Sequence, residues 1–152
     1  MLSHKSKYAL KAMIALAKEF GQGPLLISDI AQREAIPRKF LELILLELKN
    51  RGLVQSKKGK GGGYFLARQP NQVTLGEILR IVEGPLAPIP CVSRTAYARC
   101  ADCRNERSCG VRIVMKDVRE ATARILDSTT LDDVLHRVRA VVQGKAALTF
   151  AI

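Results

Sequence analysis

Apolar positions Tyr8, Ala9, Ala12, Met13, Leu16 and Ala17 recur three and four residues apart. That spacing predicts an amphipathic helix over about 3–20, with Ser3 as N-cap and Gly21-Gln22-Gly23-Pro24 as its stop. Ser28 is placed to cap a short second helix over 29–34, with Asp29 favourable in the first turn. Pro37 opens a third helix over about 38–51, because a first helical turn has no use for the missing N–H. Its expected core stripe is Phe40, Leu41, Ile44, Leu45 and Leu48, and Gly52 ends it. Two helices joined by a tight turn form a helix-turn-helix pattern.

The pattern then changes. Residues 53–56 and 64–67 read as short strands around a lysine- and glycine-rich turn, a hairpin wing. Thr74-Leu75-Gly76-Glu77 has the capping-box form and starts a helix through Val82. Gly84-Pro85 and Pro88-Ile89-Pro90 break the chain before a long helix over about 108–126. On that helix Val111, Val114, Met115, Val118, Thr122 and Ile125 form a narrow apolar stripe. Such a stripe packs either within the chain or along the same helix of a second copy. The pairing of DNA readers on two half-sites favours the second copy. Thr130 caps a last helix with Leu131, Val134, Leu135, Val138 and Val142 apolar, and a loose tail is expected from Gly144.

The expected fold class is therefore mainly α, a winged helix-turn-helix with a small β-hairpin wing and a long C-terminal dimerisation helix. The expected divisions are a winged-helix DNA-binding domain at 1–83, a cysteine-rich sensor loop at 84–110, dimerisation helices at 111–143 and a tail at 144–152.

Charge adds direction to this picture. The formal charge of the 152 residues is +11. Residues 1–70 hold 13 Lys and Arg against 5 Asp and Glu, whereas residues 71–152 hold 12 against 9. The excess lies with the helix-turn-helix and points to a phosphate polyanion. No apolar run approaches the roughly 18 residues that cross a bilayer, and the start lacks a secretory leader, so a cytoplasmic location is expected. No nucleophile–base pair or cofactor fingerprint suggests an enzyme. The Gly61-Gly62-Gly63 run lacks the Lys-Ser/Thr of a nucleotide-binding loop.

On the third helix Arg38 and Lys39 could donate to guanine or phosphate, and Glu42 could accept from cytosine. Ser28, at the start of the preceding helix, is a further DNA-contact candidate. In the wing, Lys57, Lys58 and Lys60 supply counter-charge, and Gly61, Gly62 and Gly63 let the backbone approach phosphate. Tyr64 either lies on the DNA backbone or packs beneath the hairpin. Lys5 and Lys7 are further phosphate candidates.

All four cysteines fall in the pattern Cys91-x8-Cys100-x2-Cys103-x5-Cys109. A structural zinc site usually takes two close pairs, and only Cys100 and Cys103 are close. Irregular spacing suits an iron–sulfur cluster wrapped by a loop. Thiol–disulfide sensing, zinc and inert thiols are the alternatives. Arg94, Arg99, Arg104, Arg107 and Arg112 surround the thiols and are expected to favour thiolate. His4 and His136 fall outside the loop.

The chain resembles the Rrf family of winged-helix repressors, of the IscR and NsrR type. The resemblance runs from about residue 1 to 135. It is carried by Tyr8-Ala9, Ala12-Met13, Ile30-Ala31, Phe40-Leu41-Glu42, Arg51-Gly52-Leu53-Val54, Gly59-x-Gly61-Gly62-Gly63-Tyr64-x-Leu66 and Val73-x-Leu75-Gly76-Glu77-Ile78. It implies a homodimer with crossed long helices that binds double-stranded operator DNA without any membrane. It also implies an iron–sulfur cluster ligated by Cys91, Cys103 and Cys109, which match the three-cysteine pattern of cluster-binding members. Cys100 is additional. The histidine that follows the last cysteine by three residues in IscR-like members is here Arg112, so Cys100 is a candidate fourth ligand. Cluster-free relatives respond through thiols or other ligands.

Overall fold

The structure, a computed structural model, describes the backbone of residues 2–151 and the side chains of residues 2–144. Met1, the first residue of the resemblance, and Ile152, the end of the expected tail, lie outside the described residues. The elements are α1 (His4–Lys18), α2 (Ile27–Glu34), α3 (Arg38–Asn50), β1 (Val54–Lys57), β2 (Gly63–Leu66), α4 (Leu75–Val82), α5 (Gly110–Ser128) and α6 (Leu131–Ala151). Short 3-10 turns at Pro70–Gln72, Pro90–Val92 and Glu106–Ser108 punctuate the connections.

The core forms where the helical stripes of α1, α3 and α4 meet. Ala9, Met13, Leu16, Leu41, Ile44, Leu45, Leu48 and Ile78 are buried there. Each large aliphatic side chain so enclosed contributes about 1.5–3 kcal/mol. The small residues Ala9 and Ala12 let α1 approach its neighbours closely, and both are fully buried. Ser3 caps α1, its hydroxyl accepting from Ser6 N at 3.1 Å. The hydroxyls of Ser3 and Ser6 also donate to the Glu83 carboxylate, which fastens the start of α1 to the end of α4.

Two details differ from the sequence pattern. Ser28 does not cap α2, because the helix begins one residue earlier at Ile27, with Leu26 at the cap position making no side-chain bond. Ser28 is an exposed residue of the first turn. Phe40 is not in the core stripe. It is 49% exposed and meets Tyr8 edge-on, with ring centroids 6.0 Å apart. Its position, one residue before Leu41, turns it about 100° from the buried face.

β1 and β2 pair antiparallel, with Val54 opposite Leu66 and Lys57 opposite Gly63. The wing does not stand free. Tyr64 N donates to Leu25 O at 2.7 Å and Leu25 N to Tyr64 O at 2.8 Å, which adds a third, one-residue rung. A methyl group on Gly63 would lie 2.2 Å from the Leu25 carbonyl oxygen, and φ is +143° there. Gly63 is thus required by the docking of the wing on the chain before α2.

The last helix differs most. Leu131 and Leu135 are buried in the same core as α1. Leu131 N donates to Val73 O at 2.9 Å and Leu75 N to Thr129 O at 2.9 Å. The first turn of α6 therefore closes the winged-helix core. Thr130 caps α6 reciprocally: its hydroxyl accepts from Asp133 N at 3.0 Å, and its own N–H donates to Asp133 Oδ2 at 2.9 Å. The helix also continues past Gly144 to Ala151, where a tail was expected. A glycine costs a helix only about 1 kcal/mol relative to alanine, too little to stop one by itself.

Candidate nucleic-acid interface and cysteine loop

The helix-turn-helix is set by the turn between α2 and α3. Ala35 adopts the left-handed conformation (φ 53°), Ile36 N donates to Ala31 O at 3.0 Å, and Ile36 is buried as an anchor. Pro37 sits at the N-cap of α3. Burying Leu41, Ile44, Leu45 and Leu48 turns the opposite face outward. Arg38, Lys39 and Glu42 are exposed on that face, and Arg38 Nε lies 3.3 Å from Glu42 Oε1. Leu43 and Leu46 share it, 66% and 51% exposed. These two leucines were not among the expected contact residues. Their signal was available, since they fall out of register with the core stripe.

Lys57, Lys58, Lys60 and Gly61 are exposed around the hairpin turn. Gly62 is buried, and a methyl group there would lie 2.2 Å from the Lys57 carbonyl oxygen. Gly62 and Gly63 thus serve close packing within the protein as well as any outside approach. Tyr64 is half-buried and packs against the core. Lys5 is engaged by Glu47 at 2.7 Å, linking α1 to α3, whereas Lys7 is exposed.

The cysteine loop lies between α4 and α5. Cys91 is buried in the 3-10 turn against α5, Cys100 is exposed, and Cys103 and Cys109 are half-buried. All four thiols line one cavity of about 430 Å³, together with Asp102, Arg104 and Arg112. Cys109 occupies the N-cap position of α5. Arg112 Nε donates to Cys91 O at 3.3 Å, and Arg99 donates to Cys103 O at 3.1 Å and Arg104 O at 3.4 Å. Tyr97 donates to the Glu106 carboxylate across the loop.

The arginines Arg99 and Arg112 thus act on backbone carbonyls rather than on sulfur. The expected thiolate-favouring field does not hold at Cys100. Desolvation, and then the neighbouring Cys91 thiol, push the Cys100 thiol above its ordinary value. The histidines are elsewhere. His4 lies beside Tyr8, and His136 Nδ1 is 2.9 Å from the Asp132 carbonyl oxygen within α6.

Four thiols around one cavity fit the donor set and ligand number of an iron–sulfur cluster. Among the described residues no three His, Cys, Asp or Glu side chains converge as a ready-made site for a single metal ion. The loop supplies the right atoms on a frame whose thiols must draw together to bind.

On α5 the stripe residues Val111, Val114, Val118 and Ile125 are 63%, 55%, 42% and 57% exposed. Met115 is half-buried and Thr122 exposed. A flank of the helix meets the body of the protein. Arg119 is its buried residue, and Arg80 on α4 grips Asp127 through bonds of 2.5 and 2.8 Å. Neither arginine was singled out from the sequence. A search for apolar periodicity passes over charged residues, and Arg80 and Asp127 are 47 positions apart. Among the described residues no helix is long and apolar enough to cross a membrane.

Comparison with known proteins agrees with this architecture. The Rrf2 family, described as iron-dependent transcriptional regulator, matches residues 2–137. An rrf2-like HTH-type transcriptional regulator of Rhodobacter capsulatus is 44% identical over 138 residues, covering 89% of this chain and 92% of that protein. The solved structure of CymR, the global cysteine regulator of B. subtilis, superposes with a TM-score of 0.73 at 36% identity, covering 88% of this chain and 95% of that one. That of T. potens IscR gives 0.73 at 31% identity, covering 91% and 88%. With a winged helix, an exposed basic hairpin and a family match over nearly its whole length, the chain belongs to the Rrf2 family of DNA-binding transcriptional regulators.

Proposed function

We propose that the protein is a homodimeric repressor whose grip on operator DNA follows the state of the four thiols in its cysteine loop. The observation that carries this reading is the shared cavity. It places Cys91, Cys100, Cys103 and Cys109 at the very start of α5, the helix with the uncovered apolar stripe.

In this account α3 enters the major groove. Arg38 and Lys39 donate to guanine or phosphate, Glu42 accepts from a cytosine amino group, and Leu43 and Leu46 suit thymine methyl groups. Lys57, Lys58, Lys60 and Gly61 hold the adjacent phosphates, with Lys7, Ser28 and Lys5 as outlying contacts. Tyr64, with Gly62 and Gly63, fixes the wing against the body rather than touching DNA first. Val111, Val114, Met115, Val118, Thr122 and Ile125 form the dimer seam, which sets the spacing of two α3 helices on a pseudo-palindrome.

Cys91, Cys103 and Cys109, with Cys100 as fourth donor, would hold an iron–sulfur cluster. When bound, such a cluster supplies a redox-sensitive crosslink among thiolates. The chain's own residues convert loop geometry into helix position. Cys109 stands at the N-cap of α5, and Arg112 ties the Cys91 carbonyl to the first turn of that helix. Drawing the thiols together or releasing them therefore pulls on the start of the dimer helix. A few kcal/mol of difference between two poses is enough to switch operator binding.

A cluster-free thiol switch is the second reading, favoured by the one cavity that the Cys91 and Cys100 thiols share. Their joining as a disulfide would hand two electrons and two protons to a peroxide, leaving two waters when the peroxide is hydrogen peroxide.

The test is titration of the protein against a pseudo-palindromic operator and random DNA at one salt concentration, with mass measured in solution. A dimer that prefers the operator by about a thousandfold or more supports the reading. A monomer, or equal affinity for both DNAs, contradicts it.

A further inference from the structure

A second cavity, of about 470 Å³, lies between α5 and the segment that follows α4. It shares no lining residue with the cysteine cavity. Its charged lining consists of Arg80, Arg94, Arg119, Arg124, Glu120 and Asp127. The two acids are committed, Asp127 to Arg80 and Glu120 to Arg119 at 3.2 Å. Arg94 and Arg124 have no ion pair among the described residues, which leaves the cavity with two positive charges in excess.

Arg119 gives the stronger sign. It is 7% exposed, and its buried Nε has no hydrogen-bond partner among the described residues. A buried donor on a charged group left without a partner is costly, and native proteins satisfy nearly all such groups. The fork of a guanidinium matches the paired oxygens of a carboxylate or phosphate.

The outer rim of the cavity faces away from the expected dimer stripe. At 100° per residue, Arg119, Glu120, Ala123, Arg124 and Asp127 centre on the side of α5 opposite the stripe of Val111, Val118 and Ile125. A second copy seated on that stripe leaves Arg124, on the far side of the helix, uncovered.

We propose that this cavity binds a small organic oxyanion, a carboxylate or a phosphate ester, as an effector site independent of the cysteines. Arg119 receives the oxyanion from within, Arg94 and Arg124 clamp it from the rim, and Leu86, Ala87 and Ala123 accommodate an apolar body. Arg80, already bonded to Asp127, makes the occupied cavity a bridge between α4 of the DNA-binding core and α5. This inference requires neither a cluster nor a thiol switch.

The test is thermal melting of the full-length protein in about 10 mM inorganic phosphate or malonate against chloride of equal ionic strength. Either anion should raise the midpoint by about 3 °C or more. A response to phosphate alone assigns the phosphate class, and a response to malonate alone the carboxylate class. Arg94→Ala, an exposed substitution that spares the core, should abolish the rise, whereas Lys58→Ala in the wing should retain it. No rise beyond chloride, or a rise that survives Arg94→Ala, overturns the proposal. Arg119→Gln should also abolish the rise in protein whose circular dichroism is unchanged, and an undiminished rise in that variant overturns the role of Arg119.

Discussion

Arg80 and Asp127 join the DNA-binding core to α5 through two parallel bonds, Nη1 to Oδ1 at 2.5 Å and Nη2 to Oδ2 at 2.8 Å. Bidentate geometry makes this a better-ordered contact than most exposed pairs. Its two side chains are 42% and 45% exposed, so screening limits its worth. A double-mutant cycle of Arg80→Ala and Asp127→Ala should give a coupling of about 0.5–1 kcal/mol that shrinks in 1 M salt. Urea denaturation of the four proteins checks this. A coupling near zero at low salt would remove the strut from the account.

The pair also predicts how stability depends on acidity. The Arg80 hydrogen bond holds the Asp127 carboxyl below its ordinary value of 3.8. The Ser3 and Ser6 hydroxyls hold Glu83 below its ordinary 4.5. A carboxyl whose folded pKa is depressed stabilises the fold above its unfolded value and loses that contribution as pH falls through the folded value. Stability contributed by these groups should therefore be flat above about pH 5 and decline below pH 4. Melting midpoints between pH 3 and 7 measure it, and Ser3→Ala should shallow the decline.

In the wing, Gly63 and Gly61 carry different demands despite standing two residues apart. Gly63→Ala drives a methyl group into the Leu25 carbonyl at 2.2 Å, whereas Gly61 has a φ of +75° but open space. Gly61→Ala should cost about 1 kcal/mol, and Gly63→Ala about 2 kcal/mol or more, with loss of the rung to Leu25. Denaturant midpoints order the two variants, and equal midpoints would mean that the wing is not docked through Leu25.

The order of these elements was legible because local signals carry it. Ser3, Thr74 and Gly52 mark helix ends in the sequence, and Ser3 and Thr74 make the expected cap bonds. Ser28 misled because a favoured cap residue can equally lie within a first turn, one step after an uncapped start. Phe40 misled because apolar character does not by itself give a face. What the sequence could not reveal are contacts between distant positions: Leu131 in the core of α1, Tyr64 on Leu25, and Asp127 on Arg80. Each depends on tertiary packing that no local periodicity encodes. The same holds for the cysteines. Their irregular spacing was plain, but their gathering on one cavity at the start of α5 required the fold.

Lys58 is exposed at the hairpin turn and makes no ion pair among the described residues. Lys58→Ala should weaken binding to operator and random DNA alike, and should reduce the slope of log affinity against log salt by about one. Binding titrations at several salt concentrations provide that slope. Relaxed sequence choice at an unchanged slope would move Lys58 from phosphate to base contact.

If sulfur chemistry in the loop governs DNA affinity, Cys103→Ala reveals it most directly. Protein purified anaerobically with iron and sulfide should show visible absorbance that this variant lacks, and operator affinity should differ between the two by about tenfold or more. An identical spectrum together with operator affinities within about twofold would contradict the claim.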